Sequence, residues 1–221
     1  MKIRTITIGL PPEALQDSNK TRELLQGFLD LAKNEFAKEE LSIRTFRINL
    51  CPFKEDINQN VNQQKIIGMV EQVNSLSDSL DVRWFNVPFD LSTANEGSLT
   101  NLSQTAFEVL RRYPKTFVNL IVTSKSEINL RAIDFASKYI KDVGHLDNTG
   151  FNNFRVGVSC SISPNTPFFP FTYSSRNIGF SIGLELPQEF IRTINSSTNK
   201  ELSFIRERII QNLQPKLQKI D

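Results

Sequence analysis

The sequence predicts an α/β domain in which strand–helix repeats form a half-barrel of five to six mostly parallel strands. Three observations lead there. Strand-like segments recur about every 35–40 residues, with helical periodicity between most of them. Those strands alternate apolar and polar positions, whereas parallel strands covered on both faces read as continuous apolar runs. The chain has 221 residues, 39% hydrophobic and 23% charged, which suits one large domain over 1–221 with 190–221 as a C-terminal helical segment.

In chain order, strands are expected near 2–9, 42–50, 81–87, 116–123, 153–160 and 178–185. A first helix carries the stripe Leu24, Leu25, Phe28, Leu29, Ala32 and Phe36, entered through the capping cluster Asp17-Ser18-Asn19. A second stripe runs Val61, Ile66, Ile67, Val70 and Val73, and a third Leu99, Leu102, Ala106, Phe107 and Leu110. The fourth runs from Ile128 to Ile140 and ends near Gly144, and 199–213 reads as a last amphipathic helix. Pro164, Pro167 and Pro170 make the link 160–178 an extended loop, so the sixth strand is free to run antiparallel.

The strand pattern assigns two faces. Ile6, Ile8, Phe46, Ile48, Leu50, Val118, Leu120, Val122, Phe154, Val156, Val158, Phe180, Ile182 and Leu184 should meet the helices. Thr5, Thr7, Arg47, Asn49, Asn119, Thr123, Arg155, Gly157, Ser159, Ser181, Gly183 and Glu185 should line the opposite face, with Ile121 as the misfit. A curved sheet whose polar face lines a barrel interior reconciles this pattern with parallel strands. Arg47–Phe53 and Arg83–Phe89 share Arg, Pro and Phe at equal offsets, which reads as two similar strand exits.

Several partner classes are disfavoured. The net charge of +2 comes from 26 basic and 24 acidic residues with only short basic pairs, so no nucleic-acid or anionic-membrane surface is expected. No apolar run reaches about 18 residues, and the start runs directly into a strand rather than a signal peptide. Two cysteines, Cys51 and Cys160, fit a reducing cytoplasm.

The opening Arg4-Thr5-Ile6-Thr7-Ile8-Gly9, the segment Thr123–Asn129, Asn165-Thr166-Pro167-Phe168-Phe169 and the strand Phe180–Glu185 resemble one family over nearly the whole chain. That family is the domain-of-unknown-function family seven-hundred-eleven, also labelled pyruvate formate-lyase-like. Its members are typically about twice this length, so the sequence resembles their N-terminal half. The resemblance implies a fold related to the ten-stranded barrel of glycyl radical enzymes, assembled from two five-stranded halves, and it implies no known activity. Glu127 stands where relatives tend to have glycine, and Ser174 where some have histidine.

Glycyl radical chemistry needs a glycine near the C-terminus, and Pro215–Asp221 has none. No cofactor is expected, since neither a Gly-rich phosphate loop nor a dinucleotide fingerprint occurs. Cys51 and Cys160 read as packed thiols, and His145, the only histidine, reads as a solvated loop residue rather than a metal ligand. The candidate ligand-binding residues are Asn49, Thr123, Ser124, Lys125 and Glu185 at the strand C-terminal ends, with Arg47 and Arg155 deeper in the lining. An internal salt-bridge network without ligand accounts for them at least as well. The aromatic run Phe168–Tyr173 reads as an oligomer contact in preference to a lid. Two functions stay open: binding or transforming a small anionic metabolite, or a non-catalytic subunit completing its barrel as a homodimer or with another chain.

Overall fold

The computed structural model describes residues 1–54, 62–124, 127–199, 201–218 and 220. Each of the first four strands is followed by a helix on the same face of one sheet. The strands are β1 (Lys2–Leu10), β2 (Phe46–Leu50), β3 (Trp84–Asp90), β4 (Thr116–Thr123), β5 (Val156–Cys160) and β6 (Gly179–Glu185). The helices are α1 (Ser18–Lys38), α2 (Gln63–Ser79), α3 (Glu96–Arg112), α4 (Leu130–Gly144), α5 (Pro187–Ser196) and α6 (Leu202–Leu217). The strands lie in the order β5-β4-β3-β2-β1-β6, with β1 to β5 parallel and β6 antiparallel to β1. Every crossover advances in one direction, so the sheet winds once and curls into a half-barrel. Among the described residues no helix is long and apolar enough to cross a membrane.

The crossover helices start where the sequence supplies a short polar cap. Asp17, Asn62, Asn95 and Asn129 accept a hydrogen bond from Lys20 N, Lys65 N, Ser98 N and Ala132 N at 3.0–3.1 Å. Asn129 also donates to Leu91 O and Ala94 O, each at 3.2 Å, tying the start of α4 to the exit of β3. The apolar stripes of these helices meet Ile8, Ile48, Phe85, Val87, Phe89, Val118, Leu120 and Val122 in one core. Ile182 and Leu184 pack with Ile3 and Ile6 beneath α1, and Phe28 of α1 contacts Phe180 at 5.1 Å between ring centroids. The expected faces therefore hold for most of the sheet. Val61 of the expected second stripe lies outside the described residues.

Two expectations need correction. Residues 153–155 are not strand: Phe151–Arg155 forms a 3-10 turn, which interrupts the two-residue alternation before β5 begins. Phe154 consequently contacts Phe117 on the helix-free face, and Arg155 turns under α3. The third strand is 84–90 rather than 81–87, so Pro88 lies inside it. Its missing N–H is tolerated while its carbonyl accepts from Phe53 N at 2.9 Å. The C-terminal part of the chain holds the helices α5 and α6, the first beginning at Pro187, a proline suited to an opening turn.

Candidate functional site

The helix-free face is filled by the chain itself. Asn49 of β2, Asn86 of β3, Asn119 of β4 and Ser159 of β5 form a buried polar layer. Asn86 Nδ2 donates to Asn49 Oδ1 at 2.8 Å, and Ser159 Oγ donates to Asn119 Oδ1 at 2.9 Å. Thr172, fully buried, closes this layer from the loop between β5 and β6: its carbonyl accepts from Asn86 Nδ2 at 2.8 Å and Asn119 Nδ2 at 3.3 Å. Amide side chains suit this task because they carry both a donor and an acceptor, and Asn49 and Asn119 use both, while Asn86 uses its donor. Ser174 N donates to Leu50 O at 2.8 Å, which fastens the loop to the end of β2. The loop approaches closely because the sheet beneath it is glycine: a β-carbon on Gly9 would lie 2.5 Å from Ser174 Oγ, and one on Gly157 3.2 Å from Phe171. The loop expected to be extended is thus seated in the half-barrel.

Above this layer, at the C-terminal ends of the parallel strands, is a cleft of about 570 Å³. Each of the five parallel strands contributes at its exit: Glu13 after β1, Cys51 and Lys54 after β2, Asp90 and Ser92 of β3 and its exit, Thr123 and Ser124 at β4, and Ser161 after β5. The seated loop supplies Tyr173, Ser174, Ser175 and Arg176. Chain direction explains the convergence, because parallel strands deliver all their exits to one end of the sheet.

The candidates read from the sequence divide accordingly. Thr123 and Ser124 line the cleft. Thr123 Oγ1 accepts from Ser161 N at 2.8 Å, and Ser124 Oγ accepts from Glu127 N at 3.0 Å. Asn49 lies below it in the polar layer, and Lys125 is outside the described residues. Arg47 faces the helix-free side as expected, but at the opposite, N-terminal end of the strands. Glu185 is also at that end because β6 is antiparallel; it pairs with Arg44 at 3.2 Å and Arg4 at 3.7 Å.

Arg155 is not in the lining. It is 7% exposed and donates to Leu110 O at 3.0 Å, Tyr113 O at 3.1 Å, Thr116 O at 3.3 Å and Pro114 O at 3.4 Å, which makes it a cap for the end of α3. Sequence reasoning missed Glu13, Lys54, Asp90 and Arg176, which no motif marks, and it read Tyr173, within the aromatic run, as an oligomer contact in preference to a lid. The only signal available was position, each lying at or just past a strand end or in the proline-rich loop.

The chemistry of the cleft is that of hydrogen bonding. Burial pushes the Cys51 thiol up despite the Ser174 hydroxyl beside it, and Sγ donates to Ser175 O at 3.1 Å, so the thiol stays protonated near neutral pH. Burial, with Asp90 nearby, also raises the Tyr173 hydroxyl, which donates to Ile162 O at 3.5 Å. Asp90 accepts from Ser92 N at 3.0 Å and Ser92 Oγ at 2.6 Å. Among the described residues no group of histidine, cysteine and carboxylate side chains is arranged to hold a metal ion.

Comparison with the curated proteins gives no match. The profile of one family matches residues 1–221, and the chain belongs to that family, the uncharacterised ACR family DUF711.

Proposed function

We propose that the cleft at the C-terminal strand ends binds a small anionic metabolite. The convergence of five strand exits and the seated loop on one hydroxyl-rich cleft carries this reading. Thr123, Ser124 and Ser161 supply hydroxyls at its wall, and Lys54 and Arg176 supply positive charge at its rim. A protonated Cys51 and an Asp90 held by Ser92 favour binding over covalent catalysis. Thermal unfolding with a panel of small carboxylates and phosphates tests it. A ligand at about 100 times its Kd adds roughly 2.7 kcal/mol and raises Tm by on the order of 5–10 °C. Arg176→Ala should reduce that rise, and a panel that moves Tm nowhere would overturn the reading.

A second reading is assembly with another chain to complete a ten-stranded barrel of the glycyl radical type. It is favoured by two open edges, β5 and β6, and by Phe168 standing 72% exposed beside the half-barrel mouth. The homodimer is its simplest form. Light scattering at micromolar concentration should give twice the single-chain mass, falling on Phe168→Ser. A single-chain mass for the unmodified protein would count against the homodimer.

A further inference from the structure

At the N-terminal end of the helix-free face, opposite the cleft, lies a basin of about 710 Å³. Arg4 and Thr5 of β1, Arg47 of β2, Trp84 of β3 and Phe117 of β4 form its floor, and Phe169 of the seated loop forms a wall. The rings interlock edge-on: Phe169 meets Phe117 at 5.0 Å and Phe117 meets Trp84 at 5.2 Å between centroids. Arg47 Cζ lies over the Phe169 ring, 4.6 Å from its centroid.

The charges of this basin do not balance. Among the described residues Arg47 has a ring contact but no hydrogen bond or ion pair, and its Nε is buried without a partner. The Thr5 and Thr7 hydroxyls on the same face are buried without partners too. Burial, then the like charges of Arg4 and Arg83, push the Arg47 guanidinium below its ordinary value. Glu185, the carboxylate at this end, is engaged by Arg44 and Arg4. A ring face offsets part of the cost of holding a cation here, but it leaves the in-plane N–H groups unmade. A carboxylate satisfies such a guanidinium in its plane, while the aromatic walls accept an apolar body.

We infer that this basin binds a small carboxylate with an apolar body, its anionic head on Arg47 and its body against Trp84, Phe117 and Phe169. The inference is independent of the cleft, which lies at the other end of the strands. Trp84 is the only tryptophan, so its fluorescence reports occupancy directly. Phenylacetate and 3-methylbutanoate should each produce a saturable change, with a dissociation constant on the order of millimolar or tighter. Acetate and benzyl alcohol, each carrying half of the chemistry, should bind at least roughly tenfold more weakly, as should phenylacetate to Arg47→Met. Arg47→Lys, which keeps the charge and loses the planar fork, should fall between, and circular dichroism checks that both variants are folded. Arg176→Ala, in the cleft, should leave the titration unchanged. The inference is overturned by a flat response to both carboxylates, by benzyl alcohol binding as tightly as phenylacetate, or by equal affinity in folded Arg47→Met. It is equally overturned if the response follows protein concentration rather than carboxylate, which would assign the basin to a second copy of the chain.

Discussion

Arg155→Met should be among the most destabilising single changes outside the apolar core. One guanidinium nitrogen, Nη1, lies within hydrogen-bonding distance of four main-chain carbonyls where α3 ends and β4 begins and shares its two hydrogens among them, while Nη2 donates to Asn152 Oδ1 at 2.5 Å. Leu110 O faces Pro114, which has no N–H to give, while Tyr113 O also accepts from Thr116 N at 3.0 Å; these two carbonyls, at 3.0–3.1 Å, have the better distances to the guanidinium. A hydrogen bond from a charged donor contributes about 1.5–3 kcal/mol, and removing it leaves Leu110 O buried without a donor. The cost of burying the cation disappears in the variant and offsets part of this. A net loss of about 3–5 kcal/mol follows, or on the order of 6–20 °C in Tm for a chain this size. Urea titration followed by far-UV circular dichroism measures it, and Arg155→Lys should recover only part. A loss below about 1 kcal/mol for Arg155→Met would refute the capping role.

Two further perturbations probe the seated loop and the C-terminal helices. Gly9→Ala places a β-carbon against Ser174 Oγ and should cost about 1–3 kcal/mol. Limited proteolysis should then cut within 161–178 faster than in the unmodified protein, and an unchanged cleavage rate would mean that the loop does not depend on that approach. Glu189, which bonds Lys216 and the Met1 amino group, is lowered from 4.5 to about 2, chiefly by the Lys216 hydrogen bond. Its ionic contribution is therefore complete above about pH 4.5 and is lost as pH falls toward about 2, a dependence that Glu189→Gln should remove from the acid unfolding curve.

The sheet was readable because most of its strand positions keep a two-residue period over a one-sided core. Ile48, Val118 and Leu120 go to the helices, while Asn49, Asn119 and Ser159 go to the other face. Reading failed where that period stops. The 3-10 turn at Phe151–Arg155 exchanges the faces of Phe154 and Arg155, and no local residue marks the change. Strand direction was the second gap: alternation is the same in either sense, so Glu185 could be placed on a face but not at an end. The cleft was legible only in part, because Thr123 and Ser124 follow a strong strand whereas Asp90, Tyr173 and Arg176 meet through long-range packing. That packing rests on Thr172, whose carbonyl serves amides from two strands and whose sequence neighbours suggest only an aromatic loop.

Hydrogen exchange with and without a stabilising phosphate tests the claim that the cleft binds an anion most directly, since it reports where the ligand sits as well as whether it binds. The account predicts slower exchange at the strand exits, in 51–54, 90–92 and 121–124, and in 173–176 of the loop. It predicts little change along the exposed faces of α2 and α6. Protection confined to regions away from these exits, with the cleft exchanging as in the free protein, would contradict it.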